Sequence, residues 1–474
     1  MTAEPRVLQV ERPVPRPLVY GVIVLTFLLA AFSAAAASAP RPNVVIIMAD
    51  DMGYADLSAY GNDRYQTPHL DTLAREGLRF TDFHSNGAVC SPTRAALLTG
   101  RYQQRSGVDE VVFADPARGK RDSHGLQPSE VTFAELLQGA GYRTALMGKW
   151  HLGYDRKFNP RHHGFDEFRG YLSGNVDFHS HIDQANFPDW WHDLEPVDEP
   201  GYTTHLITRH AVRFIEENRT RPFCLYVAHE APHSPFQGPN DPPVRGPRAQ
   251  PPLQGAEIAR AYREMVQEMD KGVGEIVATL RRLGLAENTL VFFCSDNGGT
   301  RESNNGALNG HKGSVWEGGH RVPGIAWWPG KIKAGTTDQV ALTMDLMPTM
   351  LDLAKVSVPS GHRLDGTSLV PLLLESRPLP ERTLFWGYTG RFAVRRGPWK
   401  LLVNPSAGEG TKAKGKKKAG SEGVTTAPAA GPATMLFHLG DDLGETRDLA
   451  AREPGRVREL EAALAAWRKD VARP

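Results

Sequence analysis

The chain has 474 residues, of which 40% are hydrophobic and 23% charged, a composition that fits a globular protein able to bury large cores. Its formal net charge of +1 carries no global basic footprint for nucleic acid, and its three cysteines exclude a disulfide scaffold.

Arg6, Arg12 and Arg16 precede an apolar run from Leu18 to Phe32, and small residues follow from Ser33 to Ala39. That order predicts a secretory signal over 1–39, cleaved after Ala37 or Ala39, and therefore a secreted or periplasmic protein. An uncleaved membrane anchor is the alternative, although the run is slightly short for a span. Pro42 to Ala49 is continuously apolar and β-branched in its middle, the pattern of a parallel strand buried on both faces. Phe223 to His229 and Leu290 to Ser295 have the same character and hold Cys224 and Cys294, expected as core. Helical periodicity covers Thr67 to Glu76, Val131 to Ala140 and Glu257 to Leu283. The alternation predicts an α/β domain over 40–378, a large mainly parallel or mixed sheet sandwiched by helices. From about Leu379 the texture changes. Thr383 to Trp386, Phe392 to Arg395, Trp399 to Val403 and Met435 to Leu439 predict short antiparallel strands, and Arg456 to Trp467 an amphipathic helix. A smaller α+β C-terminal domain over 379–474 is expected, with a low-complexity, lysine-rich loop at about 405–432.

Asp50-Asp51 follow the first strand and Asp296-Asn297 follow the strand ending at Ser295. Adjacent side chains in a strand point to opposite faces, so each pair converges only beyond the strand end, where open α/β sheets bind ligands. Three carboxylates and an amide oxygen, with Cys90 available, make a hard donor set that suits Ca²⁺ or Mg²⁺ rather than Zn²⁺. Cys90-Ser91-Pro92-Thr93-Arg94 runs into Ala95 to Gly100, a short helix and its stop. A cysteine at a helix start with an arginine one turn on predicts surroundings that favour an anion. Gly148-Lys149-Trp150-His151, Ala231-Pro232-His233-Ser234-Pro235 and Gly310-His311-Lys312-Gly313 place further cations and imidazoles in predicted loops. The stretch Leu172 to Tyr202 reads as a specificity insert, with Trp190 and Trp191 expected to pack locally rather than stack on a sugar.

Ala88 to Gly100 resembles the active-site signature of the type I sulfatases, in the alkaline phosphatase superfamily. The resemblance extends in order from about Asn43 to Gly330, and more loosely to Leu436 through Ala450. It departs at Met147, where the family usually has a smaller residue before Gly148-Lys149. It implies that a formylglycine-generating enzyme converts Cys90 to formylglycine, whose hydrate attacks sulfur. It also implies that Asp50, Asp51, Asp296 and Asn297 hold Ca²⁺ (or Mg²⁺), with the modified Cys90 beside them. Arg94 and Lys149 would position the hydrate, His233 and Lys312 would contact sulfate, and His151 would take a proton to release it. The implied function is hydrolysis of a sulfate monoester, on a sulfated carbohydrate given the expected export and the insert. The alternatives are phosphate or phosphonate ester hydrolysis at the same site, or a silent sulfated-glycan binder.

Overall fold

Asn43–Ala49, strand β1, alternates its side chains between two apolar layers. Val44, Ile46 and Met48 enter one layer, and Val45, Ile47 and Ala49 the other. Emptying one such position, as in Ile47→Ala, costs about 2–5 kcal/mol. The computed structural model describes residues 1–4, 8–12, 41–113, 124–405 and 434–472. The expected signal segment and the lysine-rich loop therefore lie almost wholly outside the described residues. No helix among the described residues is long and apolar enough to cross a membrane.

The other strands are β2 Leu78–Phe80, β3 Phe83–His84, β4 Arg143–Lys149, β5 Glu167–Tyr171, β6 Trp191–His192, β7 Glu195–Pro196, β8 Phe223–Ala228 and β9 Thr289–Ser295. They continue as β10 Gly324–Trp327, β11 Gly335–Thr337, β12 Ala341–Leu342, β13 Thr383–Tyr388, β14 Arg391–Arg396, β15 Trp399–Val403 and β16 Thr434–His438. The large sheet has ten strands in the order β11-β2-β10-β9-β1-β8-β4-β5-β6-β7. Its middle, β9 through β5, is parallel, while β10 and β6 join antiparallel. The sheet is thus mixed around a parallel centre. Helices Cys90–Thr99, Phe133–Gly139 and Leu346–Ala354 bury their apolar side chains on one face. Pro68–Glu76, Thr203–Glu217 and Ala256–Arg282 cover the other.

Strands β13 to β16 form a separate antiparallel sheet. Helix Pro454–Val471 lays Leu460, Leu464, Trp467 and Val471 into that sheet's core, and the Trp467 ring stacks on Phe385 at 5.0 Å. The same core takes in Ala96, Tyr102 and Trp316 from the larger part of the chain, and Arg41–Pro474 is one compact unit. Cys224 and Cys294 are buried and free, as core residues.

One expectation is corrected. Lys149 is not in a loop but ends β4, which is hydrogen-bonded to both β8 and β5. Gly148, inside that strand, has φ 110°, and a Cβ there would lie 2.0 Å from the Ala228 carbonyl oxygen. A glycine that reads as a loop signal is in fact required by the close approach of β8.

Candidate active site

The register of the two central strands builds the site. Ala49 of β1 pairs with Ser295 of β9, so Asp50 and Asp296 emerge side by side at the carboxyl ends. Asp51 bends away with φ 65°, and its backbone N–H donates to Asp296 Oδ1 at 3.3 Å. Asn297 Nδ2 donates to Asp51 Oδ1 at 2.8 Å, while Asn297 Oδ1 is buried with no hydrogen-bond partner. An orphaned amide oxygen beside three buried carboxylates is costly unless something positive meets it. The donor set therefore fits an oxygen-seeking divalent cation.

Cys90 opens the helix Cys90–Thr99, which is buried along its whole length. Its Sγ lies 3.4 Å from Asp50 Oδ1 and 3.4 Å from Lys312 Nζ. The expected anion-favouring environment is corrected for the thiol as encoded. Burial, then Asp296 and Asp50, push its pKa far up despite the nearby lysines, so the sulfur stays protonated.

Cations hold the carboxylates in place. Arg94 donates twice to Asp296 Oδ2, at 2.8 and 3.1 Å, and also reaches the Tyr226 hydroxyl. The Lys149 ammonium is bonded to Asp50 Oδ2, both groups being fully buried. Lys312 Nζ pairs with Asp51 Oδ1 at 2.6 Å, and His233 Nε2 lies 3.5 Å from Asp51 Oδ2. Burial would raise the Asp51 pKa, but Lys312 and His233 hold it well below the usual carboxylate range. Asp296 is lifted to about 6 by burial and by Asp50. Against burial, Asp51, with Asp50 and Asp296 behind it, keeps Lys312 charged. Burial pushes His233 down to about 3, with Asp51 opposing. Three carboxylates thus face three cations, and a divalent ion would leave the site net positive, the sign an anionic ester needs.

His151, two residues past β4, has φ 55° and bonds Val112 O through Nε2 at 2.9 Å. With Nε2 as the donor, Nδ1 carries the lone pair, and Nδ1 is buried without a partner. Burial, then Lys149 and Arg94, hold His151 neutral. A neutral imidazole with a free acceptor nitrogen can take up a proton.

Contacts thus join Asp50, Asp51, Cys90, Arg94, Lys149, His233, Asp296, Asn297 and Lys312 at the carboxyl ends of the parallel strands, and His151 lies close enough to feel Lys149 and Arg94. Sequence reasoning missed Tyr226, which touches Arg94, and Glu230, whose buried carboxyl is raised far above its ordinary value by burial. It also missed the Val112 carbonyl that fixes His151. Glu230 stands directly before the quoted Ala231-Pro232-His233, and a charged residue closing an apolar strand was the available signal. Trp190 is buried in the insert, stacked on His181, with its N–H on Glu199, as local packing required.

The sulfatase family profile matches residues 42–356. The chain is 35% identical to mouse (Mus musculus) N-acetylgalactosamine-6-sulfatase, covering 89% of this chain and 84% of that protein. It is 33% identical to mouse steryl-sulfatase, covering 97% and 88%. Among solved structures, Ps i-CgsB in complex with k-i-k-neocarrahexaose matches with a TM-score of 0.75 and 29% identity, covering 90% of this chain and 92% of that one. The PsFucS1 sulfatase from Pseudoalteromonas sp. matches with a TM-score of 0.72 and 26% identity, over 94% and 92%. With its site at the strand ends and these likenesses along most of its length, the chain belongs to the sulfatase family and is a sulfuric ester hydrolase.

Proposed function

We propose that the protein is an exported sulfatase that releases inorganic sulfate from a sulfated carbohydrate, with formylglycine formed at Cys90 and Ca²⁺ held by Asp50, Asp51, Asp296 and Asn297. The observation that carries the site is the junction of Cys90 Sγ, Asp50 and Lys312 at the ends of β1 and β9. Bound Ca²⁺ would supply Lewis-acid charge beside a sulfate oxygen. Oxidation of Cys90, which needs its maturation enzyme, would supply the hydrated aldehyde whose paired hydroxyls an ordinary serine lacks. The protonated, unreactive thiol favours this reading over direct use of the sulfur.

The remaining roles fall to the chain's own groups. Lys149 and Arg94 fix the Asp50 and Asp296 carboxylates and orient residue 90 among them. Lys312, cationic at neutral pH, offers N–H donors to the sulfate. His233 is neutral in the free protein, and an anionic ester beside it adds to the pull of Asp51 on a proton. It then holds at Nε2 the proton that the departing alcohol needs. His151 accepts a proton at Nδ1.

The carbohydrate reading rests on the likeness to N-acetylgalactosamine-6-sulfatase and to Ps i-CgsB in complex with k-i-k-neocarrahexaose. Export rests on the charged, apolar and small-residue order of residues 6–39. Two measurements test the formylglycine and the carbohydrate substrate. Peptide mass spectrometry of active protein is expected to find an aldehyde at residue 90, and an intact thiol would contradict it. A screen of sulfated saccharides, following released sulfate, is expected to give turnover, and activity confined to aryl or steryl sulfates would contradict the carbohydrate reading.

A further inference from the structure

The imidazole of His151 is gripped by groups that lie outside the set named so far. Its Nε2 faces the Val112 carbonyl at 2.9 Å, and the hydroxyl of Tyr154 reaches the same oxygen at 3.3 Å. Tyr154 is buried in the turn that leaves β4, shortly after His151. Its hydroxyl also accepts the backbone N–H of Gly174 at 2.9 Å. Gly174 then backs the ring directly. A Cβ there would lie 2.8 Å from His151 Nε2 and 2.9 Å from Cε1, so only glycine leaves the imidazole room where it stands.

The proton inventory of this cluster has one solution. A carbonyl oxygen has two lone pairs and no proton, so both groups facing Val112 must donate. The Gly174 N–H fills a lone pair of the Tyr154 hydroxyl, which leaves the hydroxyl proton for Val112. Burial lifts the Tyr154 pKa far above its ordinary value, with the Gly174 N–H opposing, so that proton stays in place. Both ends of the cluster are anchored. The Val112 N–H is tied to Ser91 Oγ at 3.1 Å, next to residue 90. The turn holding Gly174 is tied to the buried Asp189 carboxylate, which accepts from the Leu172 and Ser173 N–H groups at 3.1 and 2.8 Å. Leu172 O in turn accepts the His151 N–H at 3.2 Å. A chain of bonds therefore runs from the neighbour of Cys90, through His151, into the first turn of the insert.

We propose that Tyr154 is a positioning residue for His151. With Gly174 it clamps the imidazole on the Val112 carbonyl, in the tautomer whose Nδ1 takes the proton, so the opening turn of the insert governs the step that frees sulfate. The inference rests on the proton-accepting role of His151 in the proposed function and adds the group that enforces it. A loosened ring places Nδ1 wrongly for part of the time, and a misplacement of about 1 Å costs up to about 10²-fold in rate. Departure of the alcohol draws its proton from His233 and does not involve the clamp. Loss of the clamp therefore slows one half of the reaction and spares the other.

That asymmetry is measurable with 4-nitrophenyl sulfate, from kcat, KM and the first-turnover burst of Tyr154→Phe, Gly174→Ala and, for reference, His151→Ala, with Tm recorded for each. In a two-step reaction kcat/KM reports the steps up to release of 4-nitrophenol, whereas kcat also senses the departure of sulfate. Tyr154→Phe removes a single hydroxyl and is expected to lower kcat and KM together by about tenfold, to hold kcat/KM within about twofold, and to show a near-stoichiometric burst of 4-nitrophenol. His151→Ala is expected to give the same signature at about 10²-fold. Gly174→Ala keeps the hydroxyl but crowds the ring, is expected to behave like Tyr154→Phe, and decides the point if that variant does not fold. An unchanged kcat, or a fall in kcat/KM at constant KM, beside a His151→Ala protein that shows the signature, overturns the clamp and leaves the proposed function standing. A His151→Ala protein with wild-type kcat overturns the role of His151 and the clamp together.

Discussion

Burial and the carboxylates of Asp296 and Asp50 hold the Cys90 thiol protonated, so the sulfur that the gene encodes is a poor nucleophile. Unmodified protein is therefore expected to alkylate at Cys90 far more slowly at neutral pH than a free thiol does, read by iodoacetamide labelling and peptide mass. Fast labelling would contradict this picture of the site. The ammonium of Lys149 has the opposite role, since it neutralises a fully buried Asp50. Lys149→Met strands that charge and is expected to cost about 3–5 kcal/mol of stability along with activity, measured by urea denaturation and sulfate release. Chelation is expected to lower both turnover and Tm, and added Ca²⁺ to restore them, because an ion bound only to the folded state stabilises it. Indifference to chelator would remove the metal from the account. The pairs Asp50-Asp51 and Asp296-Asn297 were legible because each closes an unbroken apolar strand. Tyr226 was not, because its aromatic side chain inside β8 reads as core. Nor was the Val112 carbonyl, since a backbone acceptor leaves no mark in the sequence.

Between the two sheets lies a buried charge network that the sequence did not announce. Lys400 of β15 is fully buried and pairs with Glu317 at 2.8 Å and Glu445 at 2.9 Å. It also lies 3.1 Å from His320 Nε2. His320 and His84 meet Nδ1 to Nδ1 at 2.9 Å, and His84 Nε2 lies 2.7 Å from Asp82. One neutral arrangement satisfies this chain, with Lys400 donating to His320, His320 to His84, and His84 to Asp82. Burial lowers both histidine pKa values, with Lys400 adding to the effect on His320. His163 and His229 are likewise pushed down by burial, to about 4 and about 3. These groups are neutral in the folded protein and titrate near 6.5 once unfolded, so the unfolded chain gains protons that the native one refuses. The histidines' share of stability is thus intact above about pH 6.5 and falls as pH drops below it, by up to about 1.4 kcal/mol per unit for each, while the raised carboxyls of Asp296, Glu230 and Glu445 act in the opposite sense. Imidazole NMR shifts of His84 and His320 at about pH 6 check this, and protonated rings there would contradict the neutral pair. Individual elements were more legible than their neighbours. The strands of the second sheet and its helix follow from alternation and periodicity, whereas β4 was hidden by the glycine that β8 demands.

At the scale of the molecule, a near-zero net charge and a site that a bound divalent ion would make positive divide the labour. The formal net charge is only +1, so the charge of a metal-loaded site at the strand ends would be what gathers an anionic ester. The sheet order could not be read from the chain, because β1 lies between β8 and β9, strands encoded far downstream. Yet that order is what sets Asp50 beside Asp296 and brings Lys149 from the neighbouring β4. The second sheet brings Tyr388 against Gly313, beside Lys312. On the proposed function, sulfate ester hydrolysis passes through residue 90 at this junction. The most direct measurement is the initial rate of sulfate release from an aryl sulfate by wild-type and Cys90→Ala proteins of matched fold. A loss of at least about 10³-fold is expected in the variant, and a rate within a few-fold of wild type would contradict the role of residue 90.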